Sequence, residues 1–318
     1  MSLTYDQITA ITEKFFVPKF VDNVYGSNAL LARLSRPEQM ETFDGGERIL
    51  APVVSSKPGS GGYFTDFEGL NTSPTSDLTA AEFLIKQLQE PIKISRLQEL
   101  KNSGKAAKLK LVATKMGIAE LNMKENLALG LFSDGTSSTG ALSANQITGL
   151  AALMSASSTY GGIAVADLST WIAVVKDNSA VNRALSLNLM QSSWGAAAYD
   201  SKVPSVLTAN QNIVDVYWGL LQPHQRLVSE EMRGIGFNNI LEFNGAPVLV
   251  DSHQAANTMY FINEEFVKLY VHSQENMRFE KITQIEAQAA TLGRIYWAGN
   301  LVCNGRRYNA ILKDLLTS

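Results

Sequence analysis

The sequence predicts an α+β fold in which one long helix is packed against long strands, and three observations predict it. Between Ser103, a candidate helix cap, and the stop at Ser133-Asp134-Gly135, the residues Leu109, Val112, Met116, Met123, Leu127 and Leu131 recur at helical spacing. Residues 44–101 read as two alternating β-runs around a glycine-rich tip. From 266 onward the chain is β-rich, with bulky residues on both faces of its last runs.

Taken in order, residues 4–34 form an arm: "LTYDQITAITEKFF" allows successive helical turns, but its apolar residues are too scattered for a core. Such a segment needs a surface to lie across. In 44–101, "GGERILAPVVSSK" leads to the tip "PGSGG" (58–62), and "LTAAEFLIKQLQEPIKISRLQEL" returns. Pro52 and Pro91 sit inside these runs, which makes them edge or isolated strands, because proline cannot donate a ladder hydrogen bond. A two-stranded ribbon is marginal alone in water, so its glycine-rich tip is expected either to be disordered or to lie on something else.

The long helix is expected to span roughly 29 residues and about 40 Å. A second apolar line, Leu111, Ile118, Leu121 and Leu129, is expected to widen its buried stripe, and Glu120 and Lys124 form an i,i+4 pair. Residues 150–265 alternate short helices ("STWIAVVKDNSA", "LSLNLMQSSWGAAAY", "IVDVYWGLLQPHQRL") with short strands ("PSVLTA", "APVLVDS", "TMYFIN"). Then come "FVKLYVHS", "RFEKITQIEA" and "RIYWAGNLVCNGRRYNAILKDL", the last read as a hairpin turning at Asn304-Gly305.

Hydrophobic residues make up 45% of the 318 and charged residues only 18%, below the roughly 25% of ordinary soluble domains. A low charge fraction suits a subunit covered by other subunits, and an enlarged core or a few exposed apolar patches give the same number. The net charge of −3 supplies no global basic field for nucleic acid. No basic start followed by an apolar stretch suggests a signal peptide, and no run of about 18 apolar residues suggests a membrane span. Cys303 stands alone and reads as a small buried hydrophobe in a reducing compartment.

Catalytic equipment is sparse. The histidines are His224, His253 and His272, without HxxxH or HExxH spacing or a cysteine cluster, so neither a metal nor a cofactor is expected. His253, two residues after Asp251, reads as a loop or strand-end hydrogen-bonder. No GxSxG elbow supports a Ser–His–Asp site, and "SSKPGSGGY" lacks the GK[ST] ending of a phosphate loop. Lys105, Lys108, Lys110 and Lys115 crowd the start of the long helix; they read as a solvated face that meets acidic residues of a neighbour, or as a stripe toward nucleic acid.

Local signatures then carry a resemblance. "ITGLAALM" (147–154), "TYGGI" (159–163) and Trp171, with "FNGAPVLVDS" (243–252) followed by "MYFINEEFVKLYVH" (259–272), are similar to segments of the major capsid proteins of tailed bacteriophages. The order of parts resembles that family along essentially the whole chain. The resemblance implies an N-terminal arm at 1–38, an E-loop at 39–95, a P-domain with the spine helix at 96–150, an A-domain at 151–265, and P-domain strands at 266–318. It implies a shell of pentamers and hexamers of identical subunits around double-stranded DNA, contacted non-specifically, in a virion assembled in the host cytoplasm. Expected partners are a portal, a scaffolding protein and a decoration or cement protein. Many members place an arginine after Y-G-G-I where Ala164 and Val165 stand here, so no role is carried over for it. Met1 leads directly into the arm, which suggests a separate scaffolding protein or none.

The interface residues expected are Lys57, Gly59, Gly61, Tyr63 and Phe64 at the E-loop tip, Phe15, Phe16, Phe20 and Tyr25 on the arm, and Lys105, Lys108 and Lys115 on the spine helix. Lys57 has no matched acidic catalyst or asparagine acceptor, so no covalent cross-link is expected. Two rival readings are an encapsulin-like cellular compartment and, more remotely, a soluble hydrolase using His253.

Overall fold

The computed structural model describes residues 28–55, 63, 65–66, 77–101, 105–136, 145–157, 159–221, 241–284 and 289–316. Its elements run α1 (Ala29–Leu34), β1 (Met40–Phe43), β2 (Arg48–Val54), β3 (Leu78–Leu84), β4 (Lys86–Ser95), α2 (Arg96–Lys101), α3 (Lys105–Leu131) and α4 (Leu150–Leu153). They continue with β5 (Val174–Lys176), α5 (Leu187–Ala197), β6 (Val206–Ala209), α6 (Gln211–Leu221), β7 (Leu241–Phe243), β8 (Ala246–Val250) and β9 (Met259–Ile262). The last are β10 (Val267–His272), β11 (Arg278–Gln284), β12 (Ala290–Cys303) and β13 (Ala310–Leu312).

Among the described residues the strands form three sheets. Strand β12 organises the first: it pairs antiparallel with β4, β10 and β11, and β1 adds in parallel to β10. The second has the order β5-β13-β9-β6-β8-β7. The third is the ribbon β2–β3. Pro91 sits in β4, whose described ladder is with β12 alone, and Pro52 sits in the ribbon, as the ladder chemistry of proline requires.

The 27-residue α3 packs on the face of β4 and β12 that carries Ile92, Ile94, Ile295 and Trp297. Asn122 Nδ2 on the helix donates to Glu90 Oε1 on β4 at 2.9 Å. Its buried stripe is Val112, Met116, Ala119, Met123, Leu127 and Leu131. The second apolar line departs from expectation: Ile118 is 49% and Leu121 62% exposed. A helix with apolar residues on several sides can turn only one stripe toward its own sheet. The expected cap Ser103 lies outside the described residues.

The six-stranded sheet is covered on both faces by this same chain. Val206, Tyr260, Ile262 and Ile311 join the core that contains α3, while Leu207, Phe261, Ala310 and Leu312 join a second core beneath α5 and α6. Alternate residues of one strand thus feed two cores, which is why these strands read as unbroken apolar runs. Residues Ala298–Cys303 of β12 are likewise all buried, so no adjacent subunit is needed to cover them.

Three further expectations are corrected. First, "YWAGNLVCNGRRYNAIL" is not a hairpin: β13 pairs with β5 and β9, in a different sheet from β12. Gly305 has φ −132°, and a Cβ there would lie 2.5 Å from Phe266 Cγ. Glycine is required for this close approach, not for a left-handed turn. Second, "STWIAVVKDNSA" is a turn followed by β5 rather than a helix, because Val174–Lys176 find a parallel ladder on β13. Third, the run from Leu78 breaks at Ile85: β3 belongs to the ribbon and β4 to the β12 sheet. Buried Asn300 holds this break, with Nδ2 donating to Leu84 O at 2.9 Å and Oδ1 accepting from Thr148 N at 2.9 Å.

Candidate assembly surfaces

Helix α1 and the ribbon β2–β3 are both anchored on their own chain. Helix α1 begins at Asn28, whose Oδ1 accepts from Leu31 N, and it buries Leu30, Leu31 and Leu34 in the main core. Arg33 grips Glu264 through two contacts of 2.6 Å. This partner holds the Glu264 carboxyl below the usual range against the burial that would raise it.

The inner face of the ribbon carries Ile49, Ala51, Val53, Ala81 and Phe83, all buried. It rests on the turn at Tyr160–Ile163: Glu82 N donates to Gly161 O at 2.8 Å, and Phe83 meets the Tyr160 ring edge-on at 5.1 Å. Gly161 has φ +60°, and a Cβ there would stand 2.8 Å from that of Ala81, so glycine alone fits both the turn and the approach.

The outer face is different. Leu50 is 61%, Val54 68%, Leu78 71% and Leu84 53% exposed, with Pro52 and Ala80 between them. Charge on this face comes from the Arg48–Glu82 pair. A thin two-stranded element thus presents a continuous apolar stripe to water. Exposed apolar patches of this kind mark interaction sites.

Beneath the ribbon base lies a buried cation that the sequence reading missed. Arg306 is 0% exposed and its guanidinium faces backbone carbonyls: Leu153 O at 2.7 Å, Trp171 O at 3.3 Å, Ala152 O at 3.4 Å and Ser155 O. It lies 5.2 Å from the centre of the Tyr160 ring. Burial lowers the Arg306 pKa and raises that of Tyr160. Both "ITGLAALM" and "TYGGI" are thereby tied to the end of β12. The available signal was a pair of arginines inside an apolar stretch, of which one points in and one out.

His253, expected as a loop or strand-end hydrogen-bonder, has three partners: Asp251 on its own loop and, from distant segments, Glu125 on α3 and Asn28 at the start of α1. Cys303 is buried, and burial pushes its thiol up to about 12. Among the described residues no group of three or more His, Cys, Asp or Glu has the geometry to hold a metal ion.

Of the residues singled out by sequence, Tyr63 is described and fully exposed. Lys57, Gly59, Gly61, Phe64, Phe15, Phe16, Phe20 and Tyr25 lie outside the described residues. Lys105 and Lys108 open α3, and Lys115 is half-buried on it. The described surface adds what the sequence did not separate: Ile118 and Leu121 on α3, Leu97 and Leu100 on α2, and the outer face of the ribbon.

Comparison by sequence finds no matching family model and no matching curated protein. Comparison by structure finds whole-chain matches. The capsid of cyanophage A-1(L) superposes with a TM-score of 0.68 at 15% identity, over 91% of this chain and 93% of that one. The procapsid of satellite phage P4 gives 0.58 at 10% identity, over 98% and 96%. The SrpI encapsulin of Synechococcus elongatus PCC 7942 gives 0.53 at 11% identity, over 90% of each chain. With the long helix across the β12 sheet, the doubly covered second sheet and the two-stranded ribbon, these matches show that the chain has the phage major capsid fold.

Proposed function

We propose that this protein is a non-enzymatic shell subunit, the major capsid protein of a phage head, which assembles as pentamers and hexamers into an icosahedral shell around double-stranded DNA. The observation that carries the shell reading is the outer face of the ribbon. Four large aliphatic side chains stand more than half exposed on an element whose other face is fully used, and identical copies can cover them. Exposed Ile118 and Leu121 on the long helix call for a similar cover. The division proposed is arm 1–38, E-loop 39–95, spine helix with P-domain 96–150, A-domain 151–265 and P-domain strands 266–318. Tyr63 and its neighbours Lys57, Gly59, Gly61 and Phe64 would reach an adjacent subunit, as would Phe15, Phe16, Phe20 and Tyr25 of the arm. Several weak contacts on one subunit multiply through effective concentration.

DNA as content is favoured over an enclosed protein cargo by the higher structural similarity to the cyanophage capsid than to the encapsulin. A net charge of −3 suits a wall that must release DNA. Such a head would be assembled in the host cytoplasm with a portal, a scaffolding protein and a decoration or cement protein. Electron microscopy of the protein purified from cells that express it, with an assay of nuclease-resistant nucleic acid, tests both levels. Closed particles are expected. A stable monomer at all concentrations would overturn the shell reading, and particles from the native source that hold protein and no nucleic acid would overturn the DNA reading.

A further inference from the structure

A built cation–aromatic site stands at the surface beside the ribbon base. The Arg307 guanidinium carbon lies 4.0 Å from the centre of the Tyr199 ring. Behind it the rings of Phe266 and Tyr308 stack at 4.2 Å and 12°, with Tyr199 and Tyr308 6.3 Å apart. The support under Tyr199 is strained: Tyr199 and Lys202 close a two-residue turn through reciprocal backbone hydrogen bonds of 3.0 Å. Its central residues, Asp200 and Ser201, adopt φ of 50° and 65° without glycine. Left-handed backbone at two consecutive non-glycine residues is costly, and this turn sets the backbone position of Tyr199.

Arg307 is exposed and, among the described residues, no carboxylate pairs with it. A guanidinium held over an aromatic ring spends no N–H group on that contact, and its forked N–H edge matches a carboxylate in two-pronged fashion. Next to it opens a cavity of about 380 Å³ between Pro52 and Val54 of the ribbon and Leu168, Phe266 and Tyr308. The site therefore offers one fixed cation and an adjoining apolar recess, continuous through Val54 with the exposed outer stripe of the ribbon.

On this basis, and resting on the shell reading, we propose that Arg307 receives an acidic side chain from a second copy of this chain, and that the recess takes an apolar residue of the same segment. A second copy is the occupant because the recess runs through Pro52 and Val54 into the apolar stripe that identical subunits would cover, and the 30 acidic residues of the chain can supply the carboxylate. A nucleic-acid phosphate would satisfy the guanidinium but leave the apolar wall wet, so a protein segment is the better fit.

Three full-length variants test this: Arg307→Glu reverses the charge, Arg307→Gln removes the charge but keeps a polar amide, and Arg307→Lys keeps charge without the fork. Melting and circular dichroism report the fold; light scattering and negative-stain microscopy report particles. Wild type is expected to form closed particles with a yield that falls as NaCl is raised. The Gln and Glu variants are expected to melt as wild type but to give about tenfold fewer particles or worse, with Lys between. A lysine at one exposed acidic position is expected to restore assembly of Arg307→Glu. If Gln and Glu fold and assemble as wild type, this contact is overturned while the shell reading stands. Variants that assemble normally but lose affinity for duplex DNA overturn it in favour of phosphate. Wild type that never assembles overturns both.

Discussion

His253 Nε2 lies 3.0 Å from Glu125 Oε2, an ion pair that ties the middle of the long helix to the loop after β8. On the other side Nδ1 lies 3.0 Å from Asp251 Oδ1. Burial alone would lower the histidine's pKa, but its hydrogen bonds to Glu125 and Asp251, and their charges, outweigh burial and raise it above 6.5. Nδ1 is also 3.2 Å from Asn28 Nδ2, while Asn28 Oδ1 is occupied in capping α1. A protonated Nδ1 can donate to Asp251 but cannot accept from Asn28.

The pH dependence follows with a definite sign. Because the folded pKa is raised, the stabilisation from protonated His253 is complete below about pH 6.5 and is lost as pH climbs through the folded value. Glu125 is exposed, so solvent screening keeps the effect modest. Chemical denaturation of wild type and His253→Gln at pH 6 and pH 8 isolates it: the stability advantage of wild type should shrink at the higher pH. An advantage that grew with pH would contradict this geometry.

Arg306 supplies a second prediction. Arg306→Met fills a similar volume but takes this donor from two buried carbonyls, of Leu153 and Trp171, and from two part-buried ones, of Ala152 and Ser155. Unsatisfied buried acceptors cost about 1–3 kcal/mol each, so a loss of about 3 kcal/mol in urea denaturation is expected. Arg306→Lys should recover only part, because an ammonium lacks the five-donor fork.

How much of this was legible depends on the kind of signal. The long helix shows in the spacing of Val112, Met116, Met123 and Leu127, and the strands β6, β8, β9 and β10 show in their short apolar runs, because burial on their own chain dictates both patterns. The partition of strands among sheets did not show. Asn304-Gly305 carries hairpin chemistry, yet the chain follows the Arg306 cage and the ladder of β13 on β9, contacts made across some fifty residues or more. Ile118 and Leu121 look identical in sequence to the buried stripe, since periodicity does not say whether a covering surface belongs to the same molecule. The long-range pairings, His253 with Glu125 and Arg307 with Tyr199, join residues over a hundred positions apart, and no local motif encodes them.

Cys303 gives a direct probe of the core. Its thiol is buried between β12 and Asn309, whose Nδ2 lies 3.7 Å from Sγ, and burial holds its pKa at about 12. The thiolate needed for reaction is therefore scarce, and reagent cannot reach it. An aromatic disulfide reagent should leave the folded protein unlabelled and label one thiol per chain in denaturant. Rapid labelling without denaturant would show that this region opens locally.

The two faces of the ribbon should separate folding from assembly. Phe83 is buried on the inner face against Tyr160, so Phe83→Ala should cost about 3–5 kcal/mol in denaturation. Leu50 and Leu78 are on the outer face and more than half exposed, so exchanging them for serine removes little buried area in the isolated subunit. A change within about 0.5 kcal/mol is expected. In a shell the same two positions would be covered, so the double variant should fold with an unchanged melting temperature and yet fail to sediment as particles. If it sediments like wild type, the outer face is not covered in the shell, and the stripe exposed in the isolated chain loses its meaning as an assembly surface.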